Sequence, residues 1–359
     1  MVDETATDAG TDGRAAAFSL RALAGCGGCA AKAPPELVAA LAKLVAPAAG
    51  LDPALLVGLA PSDDAAVYAL DAERALVATV DYFPPIVDDP DDYGRVAAAN
   101  AVSDVYAMGG TVAFALAIAG FPADVPDTVV SAVMRGAAET VRACGGIIVG
   151  GHTIRCAEPI FGLCVIGFVH PDRIWRKCGA RAGDVLVLSK PLGTGVLLSA
   201  RDPRNDQTAV NAMRATNRRA ADGLRGVQGK PSAVTDVSGY GLVGHAIEMA
   251  TQSDIALRVR WQDVPLLDGA LTAAERGVRT SQHRNYGESQ RPTSVKWGLG
   301  CTPAIQALLN DPQTSGGLLA AVARTDVEEL TAAGFVEIGD VIERAALSVA
   351  DAPWVYVSQ

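Results

Sequence analysis

At 359 residues the chain is longer than one hydrophobic core usually organises, and two domains are expected. Half the residues are hydrophobic and only 5% aromatic, with Ala, Val and Leu dominant, which suits α/β layers built from small side chains. A formal net charge of −10 argues against nucleic acid or an anionic membrane as the main partner, and seven scattered Cys read as reduced thiols of a cytoplasmic protein, not a disulfide framework.

Residues 1 to about 20 are acidic and polar, without the basic and apolar regions of a signal peptide, and read as a disordered tail. No apolar run of about 18 residues lacks charge, so no transmembrane helix is expected. Gly25-Cys26-Gly27-Gly28-Cys29-Ala30-Ala31-Lys32 follows, a flexible glycine segment carrying two thiols and an amine. Pro34-Pro35 opens a helix with Leu37, Leu41 and Leu44 on one stripe, ending near Gly50. Short strands are predicted at 65–70 and from Leu76 into Asp81. A Pro- and Asp-rich loop then leads into a helix from about Asp92, stopped by Gly109-Gly110. A strand at 112–119, a helix at 126–143 and a strand at 147–149 come next, the last breaking into a turn at Gly150-Gly151-His152-Thr153. Another strand covers 161–168. The pattern restarts near Arg181 with a strand at 185–188. Helices at about 208–223, 241–252, 264–275 and 325–333 then alternate with strands at about 255–261, 317–323 and 336–342. The resulting division is a tail, glycine loop and first helix over 1–50, one domain over 51–175 and a second α/β domain over 176–359, in a parallel-leaning fold.

Four stretches carry candidate chemistry. Asp64 and Asp81 stand at strand positions, and Asn100 and Asp104 lie one turn apart on a single helix face. A hard divalent cation takes oxygen ligands from such groups. Without one, two carboxylates ~4 Å apart repel by roughly 4 kcal/mol at an effective dielectric near 20. If these residues converge, metal-bound nucleotide is the natural occupant. Cys26-x-x-Cys29 has several readings: half a zinc site, a redox pair, a nucleophile with a neighbour, or a loop with incidental thiols. Lys32 favours function, because a nearby cation makes thiolate available. Gly150 to Thr153 is either a tight turn or a turn whose amides approach phosphate. Gly239 to Gly244 contains a literal GxGxxG at a helix start, but Asp236 just ahead of it would repel a pyrophosphate unless metal intervened.

Taken together, several motifs closely resemble selenophosphate synthetase (selenide, water dikinase), within the aminoimidazole ribonucleotide synthetase-like ATP enzymes. They are Cys29-x-x-Lys32, Ser62-Asp63-Asp64-Ala65-Ala66-Val67, Asp81-Tyr82-Phe83, the stretch Ala99 to Gly110, Gly150 to Thr153, Thr235-Asp236 and Asp311-Pro312-Gln313-Thr314-Ser315-Gly316-Gly317. The likeness runs over roughly residues 20 to 350, with the motifs in the same order.

That resemblance implies a homodimer of two-domain α/β (α+β) subunits, with an N-terminal ATP and dimerisation domain. It implies synthesis of selenophosphate, AMP and orthophosphate from ATP, selenide and water with Mg²⁺, supplying selenium for selenocysteine or selenouridine. Residue by residue it implies Cys29 as catalytic cysteine and Lys32 as catalytic, nucleotide-contacting lysine. Asp64, Asp104 and Asp236 match metal ligands. Asp81 and Asp104 lie against the nucleotide, Pro61, Ser62 and Asp63 beside ATP, and Gly151, His152 and Thr153 match a segment reaching the partner subunit's nucleotide. Cys26 lies one residue further out than the second cysteine of some members. Two other classes remain: a thiamine-monophosphate-kinase-like sister enzyme, which has no use for Cys29, and a non-enzymatic thiol or metal carrier.

Overall fold

A computed structural model describes residues 19–25, 35–49, 52–59, 61–280, 294–344 and 353–358. In chain order the first half runs α1 (Pro35–Ala49), β1 (Leu55–Leu59), β2 (Ser62–Ala69), β3 (Ala75–Phe83), α2 (Pro90–Ala107), β4 (Thr111–Phe121), α3 (Asp127–Ala143), β5 (Ile147–Arg155) and β6 (Ile160–Val169). The second half runs β7 (Val185–Leu188), α4 (Thr194–Ala200), α5 (Pro203–Arg214), α6 (Arg218–Gly226), β8 (Ala233–Asp236), α7 (Gly241–Ser253), β9 (Ala256–Arg260) and α8 (Ala270–Glu275). It ends with β10 (Val295–Trp297), α9 (Pro303–Leu309), β11 (Leu318–Val322), α10 (Val327–Ala332), β12 (Val336–Ile342) and β13 (Val355–Ser358). None of the described helices is long and apolar enough to cross a membrane.

The strands form a six-stranded sheet, β1-β2-β3-β6-β4-β5, and a seven-stranded sheet, β10-β13-β9-β12-β7-β11-β8. Among the described strands only β4 with β5, β9 with β13 and β10 with β13 pair parallel; the other ladders are antiparallel. The parallel-leaning expectation is corrected there. Its source is visible in β7: Val185 and Val187 enter one hydrophobic cluster and Leu186 and Leu188 another, so the strand is buried on both faces and reads as an unbroken apolar run. Such runs usually mark parallel strands between helix layers. Here the layers are present and the pairing is antiparallel.

Helix α2 is the centre of the molecule. Asp89 caps it by accepting from Asp92 N–H at 2.8 Å, Pro90 starts it, and Gly109 in the left-handed region (φ +77°) ends it. Its apolar residues are buried nearly all round, because it packs on the first sheet and on α3 and also meets β8 of the second sheet. Odd-numbered residues of β3 (Val77, Thr79, Asp81) face α2; the opposite face of the sheet carries exposed Val80 and Tyr82.

Three expected elements differ. The strand at 147–149 does not break at Gly150 but continues to Arg155, paired with β4 from Leu116↔Gly150 to Phe121↔Arg155. The helix expected at 208–223 is two, α5 and α6, separated by a turn that buries Asn217. The one expected at 264–275 is cut to α8, since Pro265 lacks an amide donor and Gly269 sits at φ +85°. The stripe on α1 is helical as expected, but Leu44 is 77% exposed.

Candidate active site

Four carboxylates reach the seam between the sheets: Asp64 from β2, Asp81 from β3, Asp104 from α2 and Asp236 from the end of β8. Each is held by a different partner. Thr79 Oγ1 donates to Asp104 Oδ2 (2.5 Å), Asn100 Nδ2 to Asp81 Oδ2 (2.6 Å) and Ser103 Oγ to Asp236 Oδ2 (2.8 Å). Asp64 Oδ1 accepts from Thr235 Oγ1 (3.0 Å) and pairs with Lys177 Nζ (2.9 Å). The helical spacing explains this division: Asn100, Ser103 and Asp104 share the α2 face that looks into the seam.

The electrostatics report how close the four lie. Burial, then Asp81, Asp236 and Asp64, hold the Asp104 carboxyl well above the usual range. Burial pushes Asp64 up to about 7, with Lys177 pulling against it and Asp236 and Asp63 adding to the rise. Burial alone would pull the Lys177 ammonium down; Asp64 and Glu248 outweigh it and hold it above its ordinary value. Among the described residues no three His, Cys, Asp or Glu side chains form a closed metal cage. The arrangement is a ring of separately tethered carboxylates. Mg²⁺ commonly takes one or two carboxylates and completes its shell with phosphate oxygens and water.

Asn100 does more than stand near Asp104. While its amide nitrogen holds Asp81, its Oδ1 accepts from Ser315 N–H (2.8 Å), so one side chain joins the two sheets. Ser315 occupies the left-handed region at φ +55°, and its carbonyl accepts from Lys190 Nζ (2.7 Å). Burial pushes the Lys190 ammonium down to about 7, against the attraction of Asp236. Gln313 Oε1 accepts from Gly193 N–H (3.1 Å), Thr194 N–H (3.2 Å) and Thr194 Oγ1 (3.0 Å), clamping the start of α4. Asn217 Nδ2 donates to Ser103 Oγ (2.9 Å) and Gly316 O (2.7 Å).

The other expected residues distribute as follows. Pro61 and Ser62 are exposed at the start of β2, with Ser62 O accepting from Gln252 Nε2 (3.0 Å). Asp63 accepts from the backbone amides of Asp64 (2.9 Å) and Lys177 (3.1 Å), which pins the strand instead of facing the ring. Gly151, His152 and Thr153 are exposed on the edge strand β5. Register carries Asp81 to Leu163, Ala117 and Gly151, three strand spacings or roughly 14 Å, so this chain does not bring them to its own ring. Cys26, Cys29 and Lys32 lie outside the described residues. Gly25, just ahead of them, donates from its N–H to Glu158 Oε1 (2.8 Å) and lines a cleft of about 910 Å³ with Arg21, Asp88, Arg201 and Thr314. Lys177, Lys190 and Asn217 are polar groups of this network that sequence reasoning missed, and Ser103 and Thr235 stood inside quoted motifs without a role of their own. The Ala99 to Gly110, Thr235-Asp236 and Asp311 to Gly317 motifs signalled the rest.

Residues 62–169 match the AIR synthase related protein, N-terminal domain, and residues 181–351 its C-terminal domain. Over both halves the chain is thus an AIR synthase related protein. Thiamine monophosphate kinase from Aquifex aeolicus shares the fold, with a TM-score of 0.60 at 21% identity over 82% of this chain and 90% of that one. Sequence likeness is narrower. Selenide, water dikinase of Burkholderia orbicola (strain MC0-3) is 47% identical over 90% of this chain and 92% of its own length. That of Burkholderia pseudomallei (strain K96243) is 46% identical over 92% and 96%. The chain belongs to the selenide, water dikinase family.

Proposed function

We propose that the chain makes selenophosphate from ATP, selenide and water, releasing AMP and orthophosphate, as a cytoplasmic Mg²⁺-dependent homodimer. The observation that carries this reading is the convergence of Asp64, Asp81, Asp104 and Asp236 on one seam, in a member of this family. A divalent cation fits the residues: Asp64 Oδ2 is buried with no hydrogen-bond partner, and the burial and mutual repulsion that raise Asp64 and Asp104 are what a cation relieves. Asp64, Asp104 and Asp236 are the residues that would hold it. Bound Mg²⁺ supplies charge neutralisation and alignment of phosphate oxygens for in-line displacement.

The chain's own residues do the positioning. Asn100 fixes Asp81 and ties it to the 311–317 loop, so the nucleotide-facing carboxylate keeps its orientation. Thr79 and Ser103 hold Asp104 and Asp236 from opposite sides. By matched motif, Lys32 places a point charge at the phosphates and Cys29 acts on the selenide side, with Pro61 to Asp63 beside ATP and Gly151 to Thr153 reaching the partner's site. The surplus of carboxylates over what one β,γ-bridging metal requires supports retention of the cleaved nucleotide for a second hydrolysis.

The test follows phosphorus. With selenide, ³¹P NMR should show selenophosphate, orthophosphate and AMP in equal amounts. In ¹⁸O-labelled water the label should enter orthophosphate and leave selenophosphate unlabelled. Free ADP as the stoichiometric final product would move the chain to the sister kinases.

A further inference from the structure

The four carboxylates are not tethered alike. Asp64 receives both of its donors, Lys177 Nζ and Thr235 Oγ1, on Oδ1, and its Oδ2 is buried without a hydrogen-bond partner. Lys177 is itself held from behind. Its N–H donates to Asp63 Oδ2 (3.1 Å), and its ammonium lies 3.4 Å from Glu248 Oε2. The same Glu248 oxygen is 3.1 Å from His245 Nδ1, and His245 Nε2 is 3.4 Å from Ser238 Oγ.

Helix α7 organises this row. His245 and Glu248 are three apart and so share one face. The helix begins at Gly241, whose φ of +68° suits glycine and where a Cβ would stand 2.6 Å from the Asn310 carbonyl carbon. Gly241, one of the glycines that resemble a dinucleotide fingerprint, therefore sets the entry of α7, which puts Glu248 against Lys177 and His245 against Glu248.

We propose that Lys177 is the positioning residue of Asp64: with Thr235 it takes up Oδ1 and so presents Oδ2 to a divalent cation, while Glu248 and His245 hold Lys177 in place. The inference rests on the metal-bridged reading of the seam. Two donors on one oxygen fix the plane of the carboxylate and leave the other oxygen for a ligand. Pairing with Glu248 makes Lys177 part of a nearly neutral unit, so its repulsion of a cation is small and its geometric effect dominates. Outer-shell partners of this kind typically change metal affinity 10- to 100-fold when removed.

The test is Mn²⁺ binding to the full chain without nucleotide, read as free Mn²⁺ by EPR, with a thermal melt of each metal-free variant to verify folding. Wild type should bind and Asp64→Asn should not. No binding by wild type, or full binding by Asp64→Asn, overturns this proposal, which needs Asp64 to hold a cation before nucleotide supplies its phosphate oxygens. With that arm satisfied, Lys177→Met should bind roughly 10- to 100-fold more weakly, and Lys177→Arg should recover most of the loss. Thr235→Val should lose less, because Lys177 still occupies Oδ1. Lys177→Met binding as tightly as wild type or tighter overturns the positioning role and leaves the metal reading intact. If Lys177→Met does not fold, Glu248→Gln decides: weaker Mn²⁺ binding supports the role, and unchanged affinity overturns it.

Discussion

Asp311 is 1% exposed, and its Oδ2 accepts from Gly195 N–H (3.0 Å) and Gln313 Nε2 (2.9 Å). Burial pushes its carboxyl up to about 7, against the hydrogen bonds from Val196, Gln313 and Gly195. A carboxyl raised on folding stabilises the native state fully below its unfolded value near 4, and that contribution is lost as pH rises through about 7. Wild-type stability should therefore carry a loss on the order of 3 kcal/mol between pH 4 and 7 from this group. Asp311→Asn keeps an oxygen acceptor and removes the titration, so relative to wild type it should gain stability from pH 5 to pH 8. Urea denaturation at the two pH values checks this, and parallel curves for the two proteins would show that Asp311 does not titrate in that window. At this scale the sequence was legible only in part. The motif around Asp311 stood out as a string, but the clamp of Gln313 on Gly193 and Thr194 depends on a loop about 120 residues earlier in the chain and leaves no local pattern.

Elements with strong periodicity were legible: β3 running through Asp81 to Phe83, α2 stopped by Gly-Gly, α3 and α7 all lie close to where their patterns place them. Those that depend on a tertiary partner were not. Gly150-Gly151 reads as a break, yet β4 supplies a ladder that carries the strand through, and a Cβ at Gly151 would stand 2.1 Å from Ala117 O. Glycine there allows close approach of two strands. The same device joins α2 to α3. A Cβ on Gly94 would lie 1.9 Å from Val133 O, and one on Gly136 would lie 2.2 Å from Asp91 O. Backbone atoms cannot rotate away as a side chain can, so Gly136→Ala must push the helices apart. The expected cost is about 1–3 kcal/mol, in the range of overpacked cores. Because α2 carries Asn100, Ser103 and Asp104, the same variant should also bind ATP more weakly. Urea denaturation and ATP titration check both. Wild-type stability would contradict the close contact. Lost stability with unchanged ATP affinity would mean that Asn100, tied to Asp81 and Ser315, holds the site face of α2 by itself.

At the scale of the whole molecule the two sheets are treated differently. Among the described residues the second has hydrophobic clusters on both faces, whereas the first packs α2 on one face and leaves apolar side chains exposed on the other. Register places Tyr68, Val80, Tyr82, Leu116, Ile154 and Phe168 on that exposed face, and Val80 and Tyr82 are 53% and 55% exposed. Scattered exposed apolar residues are ordinary, but a contiguous apolar sheet face marks an interface. A second copy of the chain is the proposed cover, and His152 lies on the same face, paired in register with Ile118. Roughly 14 Å of sheet separates this edge from the chain's own Asp81, so the proposal that Gly151 to Thr153 serve the partner's nucleotide has a decisive test. Asp104→Asn damages a site through its own chain, while His152→Ala should damage the site of the neighbour. Each homodimer should then be nearly inactive. In a heterodimer of the two, isolated with separate affinity tags, both lesions fall on one site and the other is intact. Selenide-dependent AMP formation should return to about half the wild-type rate per dimer. If His152 serves its own chain, each site keeps one lesion and the heterodimer stays as inactive as its parents. A His152→Ala homodimer with full activity would remove this strand from the site altogether.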